Sequence, residues 1–185
     1  EFRGGGKLSG IYLADDRLPF WMIANQDAQF GPETTFSVFG EFHGRYLFSD
    51  QAQLSAGFAG FYRNETDTDF RRRDLYLEFR TAWIRARAGS RKDSVRAQGL
   101  SATNKDFLFS GNTRPLSGLK IEAFEPLRIS NTFSLDWGIA HYSLNDERFV
   151  DKVWVHYKRL GLNVRFDSRS KLTDRLTHYA QWAGN

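Results

Sequence analysis

Alternating apolar and polar residues between positions 72 and 91 predict a β-hairpin. Successive strand residues point to opposite faces of a sheet, so a strict alternation gives each strand one apolar face and one polar face. A two-residue turn at positions 81–82 places Leu77 opposite Ala86 and keeps the apolar residues of both strands on the same face. The segment is therefore expected to present one continuous apolar surface.

The opposite face of the same hairpin carries charge. The predicted register places Glu78 opposite Arg85 and Tyr76 opposite Arg87, so the sequence predicts a salt-bridge ladder of Glu78, Arg85 and Arg87. In a soluble β-sandwich the charged face would meet water and the apolar face would meet a core. In a membrane barrel the apolar face would meet lipid and the charged face would line a wet lumen.

A second hairpin follows the same rule. Alternation runs through residues 34–48 and resumes after a turn at 49–51, so that Phe42 faces Phe58 and Tyr46 faces Leu54 on the apolar side. With the further candidate segments, the chain is expected to contain about nine strands. The additional segments are residues 19–26, 117–125, 132–144, 153–166 and 176–182.

One of these segments changes the parity of its apolar positions. Val155 and Tyr157 are odd-numbered, whereas Leu162 and Val164 are even-numbered. A bulge adds one residue to a strand and reverses which positions face each side. We therefore expect a bulge near residues 158–161.

The lengths of the connections favour the membrane alternative. The connections after Phe48, Arg80 and Leu127 are short, whereas those after Asn64 and Leu144 are longer and charged. The segment that follows Lys92 runs to about 25 residues, and outer-membrane barrels alternate short periplasmic turns with long outer loops in this way. The predicted fold is thus an antiparallel all-β barrel of the bacterial outer membrane.

The predicted barrel is expected to be larger than this chain. Residues 1–18 are interpreted as a mobile leader or periplasmic segment, and 19–185 as the amino-terminal portion of one barrel domain. Bacterial single-chain barrels have even strand numbers, and a sheet edge left open in a bilayer would expose unpaired backbone groups. An odd number of predicted strands therefore indicates that further strands complete the barrel.

Composition narrows the class of protein further. The 185 residues include 17 Phe and 5 Trp, which suits strands and the aromatic girdles of a barrel. No apolar run approaches the roughly 18 to 20 residues that a membrane helix needs. The chain has no cysteine, which excludes disulfides and thiolate zinc sites. The net charge of +4 weakly favours an anionic partner.

Four short segments resemble the Wzi-type capsule assembly proteins of the outer membrane, especially the version found in Bacteroidetes-like bacteria. The most specific is FLFSGNTRPL at 107–116, which resembles the WSGN-RP element of that family. The others are LPFWMIANQ at 18–26, WIRARAGSRKD at 83–93 and HYAQWAGN at 178–185, and all four occur in the family's order.

The resemblance implies a barrel of about eighteen strands. This chain corresponds to about half of the length of the family's proteins. It implies a non-enzymatic outer-membrane protein that binds capsular or related surface polysaccharide and assists its assembly or attachment. Acidic polysaccharide, the lipid bilayer and lipopolysaccharide are then the expected partners, with other outer-membrane proteins as further candidates.

Basic residues are the candidate glycan ligands. Arginine forks bind carboxylates and phosphates bidentately, so arginines in the lumen and loops suit an acidic glycan. The alternative role for each of them is a structural ion pair or a contact that holds the long loop. The candidates are Arg71, Arg72, Arg73, Arg91, Lys92, Arg96, Asn112 and Arg114.

Other functions have weaker support in the sequence. A porin or transport component would use the charged lumen as a conduit. An outer-membrane lipid hydrolase would need a base and a nucleophile, for which His141 and Ser143 share one strand face. The acidic residues of the loops are interpreted as solvated, and no metal site or cofactor is expected. Nucleic-acid binding is set aside because Phe79 and Arg85 lie on opposite faces and so cannot form one stacking surface.

Overall fold

A computed structural model describes residues 1–11, 17–24, 26–92, 114–144 and 153–165, together with the backbone of 175–184. In this part of the chain almost all regular structure is β. The strands are β1 (Phe2–Gly10), β2 (Phe36–Ser49), β3 (Ala52–Arg63), β4 (Phe70–Arg80), β5 (Ile84–Ser90), β6 (Ser117–Ala123), β7 (Leu127–Arg128), β8 (Phe133–Leu144), β9 (Val153–Arg165) and β10 (Arg175–Gly184).

The strands form one antiparallel sheet, so the predicted all-β antiparallel class is confirmed. Neighbours follow the order β1-β2-β3-β4-β5-β6-β8-β9-β10, and β7 pairs with β8. The described strands do not close into a barrel, since β1 and β10 each have one neighbour along this order.

Between β2 and β6 the connections alternate in length as predicted. Short links at 50–51 and 81–83 join β2 to β3 and β4 to β5. The longer segment 64–69 joins β3 to β4, and the segment 91–116 joins β5 to β6. The first turn is stabilised by Ser49, whose Oγ accepts hydrogen bonds from the backbone N–H groups of Gln51 and Ala52.

The predicted strand over residues 19–26 is wrong. Phe20–Ile23 forms a short helix, α1, in which the Ala24 N–H donates to the Phe20 carbonyl at 2.9 Å. Pro19 precedes the helix, where a residue without an N–H is tolerated. The helical residues that the structure describes include no segment of the length and apolarity needed to cross a membrane.

Residues 2–10, which the sequence analysis interprets as part of a mobile leader, form strand β1. This strand pairs with β2 along its whole length, for example with Gly5 opposite Glu41 and Leu8 opposite Val38. Its glycines obscure the alternation on which sequence interpretation depends, but backbone N–H and C=O groups suffice to form the ladder.

The predicted bulge in the segment 153–166 is also wrong. Strand β9 pairs with β8 without interruption, from Phe133 opposite Val164 to Leu144 opposite Val153. Tyr157 was assigned to the apolar side, but its side chain is buried on the polar side. A tyrosine combines an apolar ring with a polar hydroxyl, so it suits either face and is a poor indicator of parity.

Burial on the sheet is the reverse of that in a soluble sandwich. Leu77 is 50% exposed whereas its neighbour Glu78 is 3% exposed, and Ile121 is 49% exposed beside Glu122 at 1%. The apolar side chains of each pair thus point outward and the charged side chains point into the protein.

The chain divides into two compact units. The first unit comprises Glu1–Gly44, Ala56–Tyr76 and Ser90–Pro115, and the second comprises Arg45–Ser55, Leu77–Gly89 and Leu116–Asn185. Each unit has its own set of charged side chains on the polar face of its strands.

Candidate functional site

The polar face of the second unit holds an extended group of ion pairs, here called the ion-pair ladder. Its members come from β4, β5, β6, β8 and β9, and each points to the side of the sheet opposite the exposed apolar residues. The ladder consists of Glu78, Arg85, Arg87, Lys120, Glu122, Asp136 and Arg159.

Glu122 is the centre of the ladder. Arg85 lies directly opposite Glu122 in the β5–β6 register, and its Nε donates to Oε1 at 2.8 Å. Lys120 Nζ and Arg159 Nη2 reach the other carboxylate oxygen at 3.1 and 3.2 Å, and Arg159 also contacts Asp136 at 3.0 Å. A carboxylate so buried is stable as an anion only because these cations surround it.

The predicted pairing within the first hairpin is shifted by two residues. The Thr81 N–H donates to the Ile84 carbonyl, so the turn is at residues 82–83 and not at 81–82. Glu78 consequently pairs with Arg87, whose Nε lies 2.8 Å from Oε2, and the predicted Glu78–Arg85 pair is wrong. A shift of two residues preserves the faces of both strands, which is why the alternation alone did not reveal it.

The polar face of the first unit contains several of the predicted glycan ligands, but most of these have protein partners. Arg73 Nη2 lies 2.8 Å from Asp74 Oδ2 and 3.4 Å from Glu41 Oε2, and its guanidinium stacks 4.6 Å above the Phe39 ring. These contacts use the charge and the planar surface of Arg73 internally. Arg73 is therefore a structural residue of this unit.

Lys92 joins the end of β5 to the loop that follows helix α1. Its backbone N–H donates to Asp74 Oδ1 at 2.8 Å, and its Nζ forms an ion pair with Asp27. Burial raises the pKa of the Asp27 carboxyl, and Lys92 opposes this effect only in part. Asp27 and Ala28 have positive φ angles of 53° and 58°, so this loop has a constrained backbone.

Tyr76 provides an aromatic surface on the same face. The Arg91 guanidinium lies 4.5 Å from the Tyr76 ring centroid, and the Tyr76 hydroxyl is 3.2 Å from His43 Nδ1. Gly57 makes room for this pair, because a Cβ at that position would lie 2.5 Å from His43 Nδ1 and 2.6 Å from a Tyr76 ring carbon. Arg91 is thus held against a ring of the kind that also stacks on sugars.

A third group of basic side chains, here called the arginine cluster, consists of Arg63, Arg71 and Arg114. Arg63 ends β3 and experiences electrostatic repulsion from both other members. Arg114 Nη1 donates to the Arg72 carbonyl at 3.3 Å, while the Arg72 side chain itself is exposed. The structure thus brings the predicted residues Arg71 and Arg114 together, whereas Arg96 and Asn112 lie outside the described residues.

Arg63 was not among the predicted ligands. Its position follows from the alternation of β3, in which Gln53, Ser55 and Arg63 are all buried on the polar face. The sequence places this arginine at the last polar-face position before a charged loop, which is the feature that could have identified it. Four residues of the ion-pair ladder were also not predicted, because pairs between strands distant in the sequence leave no local pattern. These residues are Lys120, Glu122, Asp136 and Arg159.

The candidate hydrolase residues do not form a base–nucleophile pair. His141 Nδ1 lies 3.1 Å from His156 Nδ1, and its ring stacks on Trp154 with centroids 4.6 Å apart. No hydrogen bond joins His141 to Ser143 in the structure as described, and the same residues contain no group of three or more acidic or histidine side chains suited to a metal ion.

Comparisons of the chain with known protein families, curated proteins and solved structures find no match.

Proposed function

We propose that this protein is part of an outer-membrane β-barrel and that it binds acidic surface polysaccharide without catalysing a reaction. Support for the membrane setting comes from the reversed burial of the sheet, with apolar side chains outward and charged side chains inward. Exposing an extended apolar face to water would cost roughly 25 cal/mol per Å², whereas lipid accepts it.

The membrane setting can be tested by cysteine labelling, because the chain has no cysteine of its own. Leu77→Cys would place a thiol on the exposed apolar face, and Asp67→Cys would place one in the charged loop after β3. In native outer-membrane vesicles, a water-soluble maleimide is expected to label Asp67→Cys quickly and Leu77→Cys slowly. Equal labelling rates at the two positions would contradict a lipid-facing sheet.

Glycan binding is supported mainly by the concentration of basic and aromatic groups in the first unit. Arg71, Arg91 and Arg114 belong to this unit, and Arg91 stacks on the ring of Tyr76. Guanidinium groups bind carboxylates and phosphates bidentately, so this group of arginines suits an acidic glycan. The four segments that resemble Wzi-type capsule assembly proteins favour a surface polysaccharide as that glycan.

The direct test is binding of the purified protein to capsular polysaccharide from its own host, with deletion of the gene in parallel. We expect saturable binding that weakens as salt increases, and release of polysaccharide from the surface of the deletion strain. Absence of binding together with normally attached polysaccharide would overturn the proposal. A salt-dependent ion conductance in planar bilayers without glycan binding would instead favour a porin or transport component.

A further inference from the structure

We propose that Arg63, together with Arg71 and Arg114, binds an oxyanion, a carboxylate or phosphate group carried by the polysaccharide. This inference rests on the proposed function for the identity of the ligand.

Arg63 is a buried cation. Its side chain is only 9% exposed at the end of β3, and its guanidinium lies 5.8 Å from the centroid of the Phe61 ring. Its Nη1 donates to the Ala28 carbonyl at 2.6 Å. A backbone carbonyl supplies only a partial negative charge, so this contact orients the guanidinium but does not neutralise it.

Among the residues that the structure describes, none supplies Arg63 with a counterion. No carboxylate among the described residues forms an ion pair with Arg63, and Asp67 acts on it only through weaker electrostatic attraction. Arg71 and Arg114 repel it more strongly than Asp67 attracts it, and its Nε atom is buried without a hydrogen-bond partner. A buried charge left in this state is unfavourable unless another group neutralises it.

The ligand class follows from the geometry of the side chain. Nη1 donates to the Ala28 carbonyl, whereas Nε, on the Nε–Nη2 edge of the guanidinium, is buried without a hydrogen-bond partner. Two parallel N–H donors on one edge match the two oxygens of a carboxylate or phosphate. An anion there would also reduce the repulsion among the three arginines.

Burial alone does not leave an arginine without an ion-pair partner in this protein, as Arg87 illustrates. Arg87 is as buried as Arg63, but its Nε is 2.8 Å from a carboxylate oxygen of Glu78. Removing Arg87 would leave a buried anion, whereas removing Arg63 removes a buried cation that two other arginines repel. Arg63→Gln is therefore expected to fold, and to show a change that depends on the ligand.

The first arm of the test uses inorganic phosphate as the probe. The thermal midpoint of the purified protein in detergent is measured in sodium phosphate and in sodium chloride of equal ionic strength. A ligand that binds only the folded state raises the midpoint, so the wild type is expected to be more stable in phosphate. Arg63→Gln and Arg71→Gln should lose most of this difference, whereas Arg128→Gln, at an exposed position in the second unit, should retain it.

The second arm uses polyglucuronic acid and its carboxyl-reduced neutral form. The wild type is expected to bind the acidic polymer, and Arg63→Gln to bind it about tenfold more weakly. Arg63→Lys keeps the charge but lacks the fork, so an intermediate affinity is expected from it. It also serves as the second variant if Arg63→Gln is recovered in poor yield.

The outcomes separate the two proposals. If the wild type responds to phosphate through Arg63 but binds no acidic glycan, the oxyanion site stands and the glycan function is overturned. If the wild type binds the acidic glycan and Arg63→Gln matches it in both arms, the glycan function stands and the oxyanion site is overturned. Equal binding of the acidic and neutral polymers by the wild type would also overturn the oxyanion site.

Discussion

The ion-pair ladder of the second unit and the arginine cluster of the first both contain arginines, but they differ in how the buried charges are paired. In the ladder, Glu122 accepts contacts from Arg85, Lys120 and Arg159, and Asp136 provides a second anion for Arg159. In the cluster, Arg63 is buried beside two further arginines and forms no ion pair with any residue that the structure describes.

This difference separates charged residues that form ion pairs with one another from Arg63, a buried arginine without a carboxylate partner among the described residues. A buried network with partners for each charge resists the removal of any one member, since the others become unpaired. A cluster with an excess of one charge is less stable by itself and gains stability when a counterion binds. The presence or absence of an ion-pair partner for a buried charge, more than the number of arginines, is therefore the useful criterion for a site in this protein.

The largest expected effect is that of Glu122→Gln. The substitution leaves three buried or partly buried cations around a neutral amide, and breaking a buried pair in this way typically costs about 3–5 kcal/mol. Urea unfolding of the refolded protein in lipid vesicles would measure the loss. Glu125→Gln, at an exposed position two residues beyond β6, is the control and should have little effect. Similar losses for both variants would contradict a structural role for the ladder.

Gly118→Ala is expected to have the next largest effect, because it tests how closely the strands of the second unit approach. A Cβ at Gly118 would lie 2.1 Å from the His141 carbonyl oxygen and 2.7 Å from the Tyr142 Cα, and these backbone atoms cannot rotate away. We expect a loss of about 1–3 kcal/mol in the same unfolding measurement.

Gly40→Ala provides the matched control in the first unit. No atom lies within 4 Å of a Cβ added there, so the variant should be nearly as stable as the wild type. Equal losses at Gly118 and Gly40 would mean that the close approach of β6 and β8 is not what makes Gly118 necessary.

A smaller effect is expected from pH through Asp27. Its folded-state pKa is raised from 3.8 because burial penalises the carboxylate, so the folded protein holds this proton to a higher pH than the unfolded chain does. The resulting stability is fully present below the unfolded pKa and is lost as pH rises through the folded pKa.

Comparison with Asp27→Asn isolates this contribution, because the amide does not titrate and asparagine tolerates the positive φ angle. As the pH rises from about 3 to about 7, the wild type should lose stability relative to the variant. Thermal midpoints of both proteins across this range would measure the difference. A difference that is constant with pH, or that grows in favour of the wild type, would contradict the burial effect.

The smallest effect is expected from Ala28→Gly, next to Asp27. Ala28 has φ 58°, a conformation that glycine adopts without strain. The substitution relieves this strain but makes the unfolded chain more flexible, and we expect a net gain in stability of less than about 1 kcal/mol. Ala88→Gly, within β5, should instead lose roughly 0.5–1 kcal/mol, because a strand gains nothing from glycine there. If both variants are less stable than the wild type, the positive φ angle of Ala28 does not strain the backbone beside the carbonyl that accepts from Arg63.

Much of the strand architecture was predictable because alternation is a local property of the chain. The hairpins β2–β3 and β4–β5 occur where the apolar and polar residues alternate most clearly, and Leu77 and Glu78 have the opposite orientations that the pattern assigns them. Where the pattern weakens, prediction was wrong. Glycines obscured β1, the aromatic run at Phe20–Ile23 forms a helix, and Tyr157 reversed the apparent parity of β9.

The sequence by itself determined that the chain forms antiparallel strands with one apolar and one charged face, since a period of two requires only neighbouring residues. The tertiary structure decided which face is buried, and it decided that Arg85 pairs with Glu122 and Glu78 with Arg87. It also decided that Arg63 lies beside Arg71 and Arg114 without an ion pair to any described residue. These outcomes depend on the register between strands and on residues up to 51 positions apart, and a local pattern contains no information about such pairings.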